Sequence, residues 1–265
     1  MKDLFIRTAT GISLIVLVAG SILLGQLPFL LIIVMIFLLA IRELLRLQPA
    51  TPLKCSLPAA ISGGLFFLVL YLVTGHRVHA LWFLLPSGVW ITGFLSGRSC
   101  GFAVLALLWI FLPLALFYQL GWLTEEPGYH PVLPLSLIIL VWINDTFAFL
   151  TGKWMGKHQM TPRISPGKTW EGFLGGILFT LLAGWILFRA TGLFFLSVWL
   201  LISLVISVSG FWGDLFESRL KRKVNLKNTA GLLPGHGGVL DRFDSLFFAA
   251  PPFFIIIVLM QFFGR

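Results

Sequence analysis

The chain has 265 residues, 58% of them hydrophobic and only 11% charged, and its mean hydropathy is +0.98. A soluble domain carries about 25% charged residues, so this composition excludes a water-soluble globule and points to a polytopic α-helical membrane protein. The formal charge of +9 does not argue for a nucleic-acid partner, because the basic residues are spread between apolar runs in the manner of a topology signal.

In chain order the apolar runs predict about nine spans, near 9–25, 28–41, 57–74, 78–95, 102–122, 133–151, 173–190, 193–212 and 246–263. Segments alternating at the strand period are lacking, which argues against a β-barrel. Lys2 and Arg7 precede the first run without a small-residue cleavage site, so it reads as a retained span rather than a signal peptide. The second span is expected to continue as helix to Leu47, with Arg42, Glu43 and Arg46 at the membrane interface. Cys55 and Cys100 sit near loops and form no disulfide framework.

Placing the N-terminus in the cytoplasm leaves Arg77, Arg189 and Arg265 on the far side and the other sixteen of the nineteen basic residues inside. That skew supports nine spans, an integral inner-membrane protein and a cytoplasmic position for its polar segments. The reading is a single all-α membrane domain over 1–265, with N-terminal helices in 1–130. The chemistry-bearing helices lie in 131–265, with two polar loops at 152–172 and 213–245. The outer loop at 124–130, with two acids and no Lys or Arg, reads as a solvated turn.

The first polar island covers 142–172. Asn144 and Asp145 fall in or at the edge of the sixth span. A carboxylate there costs a few kcal/mol unless it is paired or faces water, which favours an ion or substrate site over a packing pair. Lys153 and Lys157 share a helix face, as flanking charges or as phosphate contacts. Gly167, Lys168 and Thr169 look like the tail of a P-loop, but Pro162 stands where its first glycine belongs. Ser165, Lys168 and Thr169 are still placed to meet a phosphate at a helix start. Glu171 follows as a cap partner or a catalytic acid.

The second island runs from Asp214 to Ser245. Asp214, Glu217, Ser218 and Lys221 are spaced i, i+3, i+4 and i+7, which makes one polar stripe if the eighth helix continues. Asp241, Asp244 and Ser245 repeat the i, i+3, i+4 pattern where the ninth helix begins. Carboxylates from two helix ends suit a hard cation such as Mg²⁺, which binds oxygen donors and phosphates together. Between them lies Pro234, Gly235, His236, Gly237 and Gly238. Glycines let backbone N–H groups approach an anion, and His236 is suited to donate to a phosphate or shuttle a proton.

These residues resemble the phosphatidate cytidylyltransferase family, also called CDP-diacylglycerol synthases. The resemblance rests on Ser218, Lys221, Arg222, Lys227, Ala230, Leu233, Pro234, His236, Gly237, Gly238, Asp241, Arg242 and Asp244. Upstream it includes Gly213, Asp214, Leu215, Glu217, Asn144, Asp145, Gly152, Ser165, Pro166, Lys168, Thr169, Glu171 and Gly172. It spans about residues 140–250; the first half is similar only in being hydrophobic. One position departs: the family has Asp after the lysine that is here Lys227, and this chain has Asn228.

The resemblance implies that CTP and phosphatidic acid give CDP-diacylglycerol and pyrophosphate, with Mg²⁺ and a second, monovalent cation as cofactors. Together with the helix spacing it implies Asp214 and Asp241 as metal ligands, with Asp145 and Asp244 next. Lys168, Lys221, Arg222, Lys227 and His236 are then expected on triphosphate or lipid phosphate, with Ser165, Thr169, Ser218, Gly237, Gly238 and Arg242 completing the substrate site. Expected partners are CTP, phosphatidic acid and membrane lipids, with a homodimer as the candidate assembly. Two other classes are weighed: a CTP-using enzyme acting on another lipid phosphate or a polyprenol, and an ion-coupled transporter. Paired repeats, expected of a transporter, are not evident.

Overall fold

The computed structural model describes residues 2–46, 107–124, 127–162, 164–223 and 238–263. The spans expected at 57–74 and 78–95 lie outside these residues, as do Lys227, Asn228, His236 and Gly237. The described helices are α1 (Lys2–Leu24), α2 (Gln26–Arg46), α3 (Leu112–Gln119), α4 (Val132–Met155), α5 (Trp170–Thr191), α6 (Leu196–Lys223) and α7 (Leu240–Phe263). A π-helical turn, Leu107–Phe111, leads into α3, and a 3₁₀ turn, Leu120–Trp122, follows it. Two short strands, β1 (Gln159–Thr161) and β2 (Ser165–Thr169), join α4 to α5.

Among the described residues, five segments are long and apolar enough to cross a membrane: Gln26–Leu44, Val132–Met155, Trp170–Thr191, Leu196–Lys223 and Leu240–Gln261. Exposure agrees with that reading. Leu174, Leu178, Leu182, Trp185 and Ile186 form an exposed apolar stripe along α5, a surface suited to lipid and not to water. Apart from its hairpin, the described part of the chain is an all-helical polytopic membrane protein.

The described residues group into two compact units, one holding α1, α2, α3 and residues 238–239, the other holding α4 to α7 with the hairpin. In the first, α2 buries Phe29, Ile33, Ile36, Phe37 and Ala40 at helical spacing. Phe29 meets Phe117 edge-on at 5.1 Å. The Tyr129 hydroxyl donates to the Ile22 carbonyl at 2.8 Å, and burial raises its pKa above the ordinary tyrosine range. Glu43, expected at the membrane interface, stands near the end of α2 and is fully buried.

In the second unit α4 packs on α5, α5 on α6, and α6 on α7. The α4–α5 contact is close because its residues are small. A Cβ on Gly176 would stand 2.9 Å from Asn144 Oδ1 and 3.0 Å from Ala148 Cβ. Phe147 and Phe179 stack at 3.8 Å beside it. Thr169 caps α5 by accepting the Gly172 N–H at 3.1 Å.

The helices reach further into the polar islands than the apolar runs suggest. Thus α5 begins at Trp170, α6 continues to Lys223 and α7 begins at Leu240. The reason is that the polar side chains there pair with one another across elements, as described below, instead of with water. The first island holds a strand that the sequence pattern misses: Gln159 pairs with Thr169 and Thr161 with Ser165 in an antiparallel hairpin. Gly167, Lys168 and Thr169 therefore lie on an extended strand rather than in a phosphate-binding loop.

Replacing Gly176 by Val is expected to drive α5 off α4 and to cost about 1–3 kcal/mol through overpacking. Gly20→Ala, where a Cβ meets nothing within 4 Å, should leave stability unchanged or slightly raised. Thermal unfolding of the two purified variants in the same detergent checks the contrast.

Candidate active site

A cavity of about 340 Å³ opens within the second unit, at the end where α4 and α6 finish and α5 and α7 begin. Asn144 and Asp145 reach it from α4, Lys168 and Thr169 from β2, Gly172 and Phe173 from α5. From α6 come Gly210, Phe211, Asp214, Glu217 and Lys221, and from α7 Asp241, Arg242, Asp244 and Ser245.

The site exists because α6 and α7 approach closely. Any side chain at Gly213 would run into the Asp244 carbonyl. Glycine there lets the two backbones touch, and the neighbouring carboxylates then face each other. Asp214, Glu217 and Asp244 each offer an oxygen, and these oxygens lie within 4.8 Å of one another. Glu217 and Asp244 are buried, at 1% and 7% exposure. Like charges so close repel, and each buried ion carries a desolvation cost of several kcal/mol.

Two lysines offset part of that charge. Lys168 Nζ lies 2.8 Å from Asp214 Oδ2, donates to the Phe211 carbonyl at 3.2 Å and sits 4.5 Å over the Phe211 ring. Lys221 Nζ bridges Glu217 Oε2 at 2.9 Å and Asp241 Oδ1 at 2.8 Å. Hydroxyls complete the shell: Ser218 donates to Asp214 Oδ1 at 3.2 Å, and Ser245 donates to Asp145 Oδ1 at 3.3 Å. Asn144 Nδ2 donates to the same Asp145 oxygen at 3.4 Å.

The donor set fits a hard divalent cation. It consists of carboxylate oxygens, the ligands that Mg²⁺ takes, and Glu217 Oε1 is buried with no hydrogen-bond partner among the described residues. Such an orphan is rare in a folded protein without a reason, and a cation beside it supplies one.

Asp145, Lys168, Thr169, Asp214, Lys221, Asp241, Arg242 and Asp244 all line the one cavity. Three other expected residues sit differently. The Ser165 carbonyl accepts from Thr161 Oγ1 in the hairpin at 3.4 Å, Ser218 supports Asp214, and Arg222 Nε donates to the Ile164 carbonyl at 3.4 Å. Gly238 is buried in the first unit, and Lys227, His236 and Gly237 lie outside the described residues.

The cavity lining also includes Glu217, Ser245 and Phe211, none of them among the expected site residues. Glu217 and Ser245 were visible in the sequence as members of the helical stripes, and Glu217 also as part of the resemblance. Phe211 gave no signal, because its partner Lys168 comes from a distant strand. Glu171 turns inward on the hairpin instead: its Oε2 accepts the N–H groups of Lys157 and His158 at 3.1 and 3.2 Å, and its Oε1 lies 2.6 Å from His158 Nδ1. It serves as a clamp and is absent from the cavity lining.

Helices fit for a membrane carry an acidic cluster and two lysines into one cavity, a set of groups suited to phosphate chemistry. Residues 5–260 match the family described as "Cytidylyltransferase family", and the chain belongs to that family. It is a nucleotidyltransferase. Among its relatives, the phosphatidate cytidylyltransferase of Staphylococcus aureus (strain COL) is 33% identical over 96% of this chain and 98% of its own length. The phosphatidate cytidylyltransferase of Staphylococcus haemolyticus (strain JCSC1435) is 32% identical over 96% and 99%.

Lys221→Met leaves Glu217 and Asp241 without their shared cation. Breaking a buried pair from one side costs about 3–5 kcal/mol, so this variant should unfold at a clearly lower temperature in EDTA. An unchanged unfolding midpoint would show that the bridge contributes nothing to the fold.

Proposed function

We propose that this chain transfers the cytidylyl group of CTP to phosphatidic acid, releasing pyrophosphate and forming CDP-diacylglycerol. The observation that carries the proposal is the acidic cluster of Asp214, Glu217 and Asp244 facing Lys168 and Lys221 in one cavity. Family membership supplies the cytidylyl chemistry, and the relatives' shared name supplies the lipid acceptor.

In the proposed reaction a phosphate oxygen of the lipid attacks the α-phosphorus of CTP. The new O–P bond forms as the bond from the α-phosphorus to the bridging oxygen breaks, and pyrophosphate leaves with that electron pair. A phosphomonoester has its second pKa near about 6, so the nucleophile is already largely dianionic and needs little help from a base. What the site contributes is alignment and neutralisation of charge. Lys168, Lys221 and Arg242 take the phosphate oxygens, and Phe149, Phe173 and Phe211 give the cavity an apolar side. Asp214, Glu217 and Asp244 would hold Mg²⁺, which when bound neutralises phosphate charge. Asp145 and Asp241 flank that group, held by Ser245 and Lys221.

The same reading gives nine spans in an inner membrane, with the N-terminus and this site on the cytoplasmic side, where CTP is found. The skew of the basic residues supports it. Trp154, Trp170 and Trp212, all exposed on the site end of their helices, support a headgroup-level position for that end, since interfacial tryptophans anchor either face of a membrane.

Purified protein given CTP, phosphatidic acid and Mg²⁺ should release pyrophosphate, with the α-phosphorus label entering the lipid and the γ-label leaving. Label entering from the γ-position would mean a lipid kinase instead. Asp244→Asn and Asp241→Ala should each lower turnover about 100-fold or more, the scale for losing one preorganised electrostatic group. Folded variants with near-normal rates would refute the assigned roles.

A further inference from the structure

Lys168 enters the cavity from an element that is weak on its own. The hairpin that carries it has strands of three and five residues, with an irregular register between Gln159 and Thr161, and it contains Pro166 and Gly167. A lone two-stranded hairpin is marginally stable at best. The Lys168 ammonium stands at the end of a flexible stem, so its place in the cavity depends on where the strand beneath it is held.

Glu171 holds that strand at its base. It stands in the first turn of α5, three residues after Lys168, and is absent from the cavity lining. Its Oε2 accepts the N–H groups of Lys157 and His158 at 3.1 and 3.2 Å, and its Oε1 lies 2.6 Å from His158 Nδ1. Lys157 and His158 belong to the link between α4 and β1. One carboxylate therefore ties the segment that enters the hairpin to the helix that leaves it. Beside it the Trp170 N–H donates to the His158 carbonyl at 3.0 Å. Bonds to an ionised acceptor are stronger than those between neutral groups. The helix dipole by itself favours a carboxylate at this position, but it does not call for contacts with residues outside the helix.

We propose that Glu171 is a positioning residue for cytidylyl transfer. By closing the base of the hairpin it fixes β2, and through β2 it keeps the Lys168 ammonium beside Asp214 and over the Phe211 ring, where the phosphate groups of the substrates are bound. The proposal rests on the role given to Lys168 above. It assigns Glu171 a task that involves no contact with substrate.

The test compares full-length wild type, Glu171→Ala and Glu171→Gln. The glutamine keeps the contacts, since its amide oxygen accepts the two backbone N–H groups and its amide N–H donates to a neutral His158 Nδ1. Without nucleotide or metal, the Lys157 and His158 amides should exchange with solvent about tenfold faster in Glu171→Ala, the scale of one lost hydrogen bond. Acylation of Lys168 by an amine reagent, read by mass spectrometry, should accelerate by about the same factor, while Lys221, which the hairpin does not carry, keeps its wild-type rate. In turnover assays kcat should fall about tenfold, and Glu171→Gln should return all three readings towards wild type. Wild-type exchange or wild-type Lys168 labelling in Glu171→Ala, equal acceleration at Lys221, normal kcat despite faster labelling, or equal damage in both variants would overturn the proposal. If Glu171→Ala does not fold, Glu171→Asp, which withdraws the carboxylate by one methylene, takes its place under the same criteria. A wild-type chain inactive on CTP and phosphatidic acid would overturn the reading of the site, while exchange and labelling would still decide whether Glu171 places Lys168.

Discussion

The contact between α6 and α7 at Gly213 is the constraint from which the site follows. Two helices that touch backbone to backbone bring Asp214 and Glu217 of one against Asp244 of the other. Nothing about apolar packing asks for that arrangement. Three carboxylates with oxygens within 4.8 Å of each other repel, and two of them are removed from water. Lys168 and Lys221 reduce the repulsion, yet Glu217 still keeps one oxygen unsatisfied among the described residues. A site that carries this much uncompensated charge is arranged for a partner that brings positive charge, which is how a metal-assisted phosphate enzyme is built.

The surroundings keep that geometry from relaxing. On one side the small faces of Gly172 and Gly176 seat α5 against α4, and Thr169 fixes where α5 begins. On the same strand Lys168 is held by a carboxylate, a carbonyl and an aromatic face. Glu171 ties the hairpin to the start of α5 through two backbone N–H groups and His158. The cavity is thus carried by helix ends and a pinned strand instead of free loops, which suits a reaction whose catalysis is mostly alignment.

Much of this was legible in the residues. Long apolar runs fixed the helical class, because a chain so poor in charge has few other ways to bury its backbone polar groups in lipid. The i, i+3, i+4 and i+7 spacing of Asp214, Glu217, Ser218 and Lys221 showed a polar stripe, and α6 does extend to carry it. Other features left no local trace. The hairpin contains Pro166 and Gly167, residues that ordinarily argue against strand, and β1 has three residues. The partnership of Lys168 with Asp214 joins residues distant in sequence. The bond that Glu43 accepts from the Val239 N–H was also invisible, because a backbone group has no sequence signature.

Metal affinity reads the central claim most directly, since it does not require turnover. Mn²⁺, a paramagnetic substitute for Mg²⁺, can be titrated into the purified protein and its bound fraction followed by electron paramagnetic resonance. The account predicts a saturable bound population in the wild-type chain that disappears when Asp214 and Asp244 are both replaced by Asn in a protein that remains folded. Undiminished Mn²⁺ binding in that double variant would contradict it.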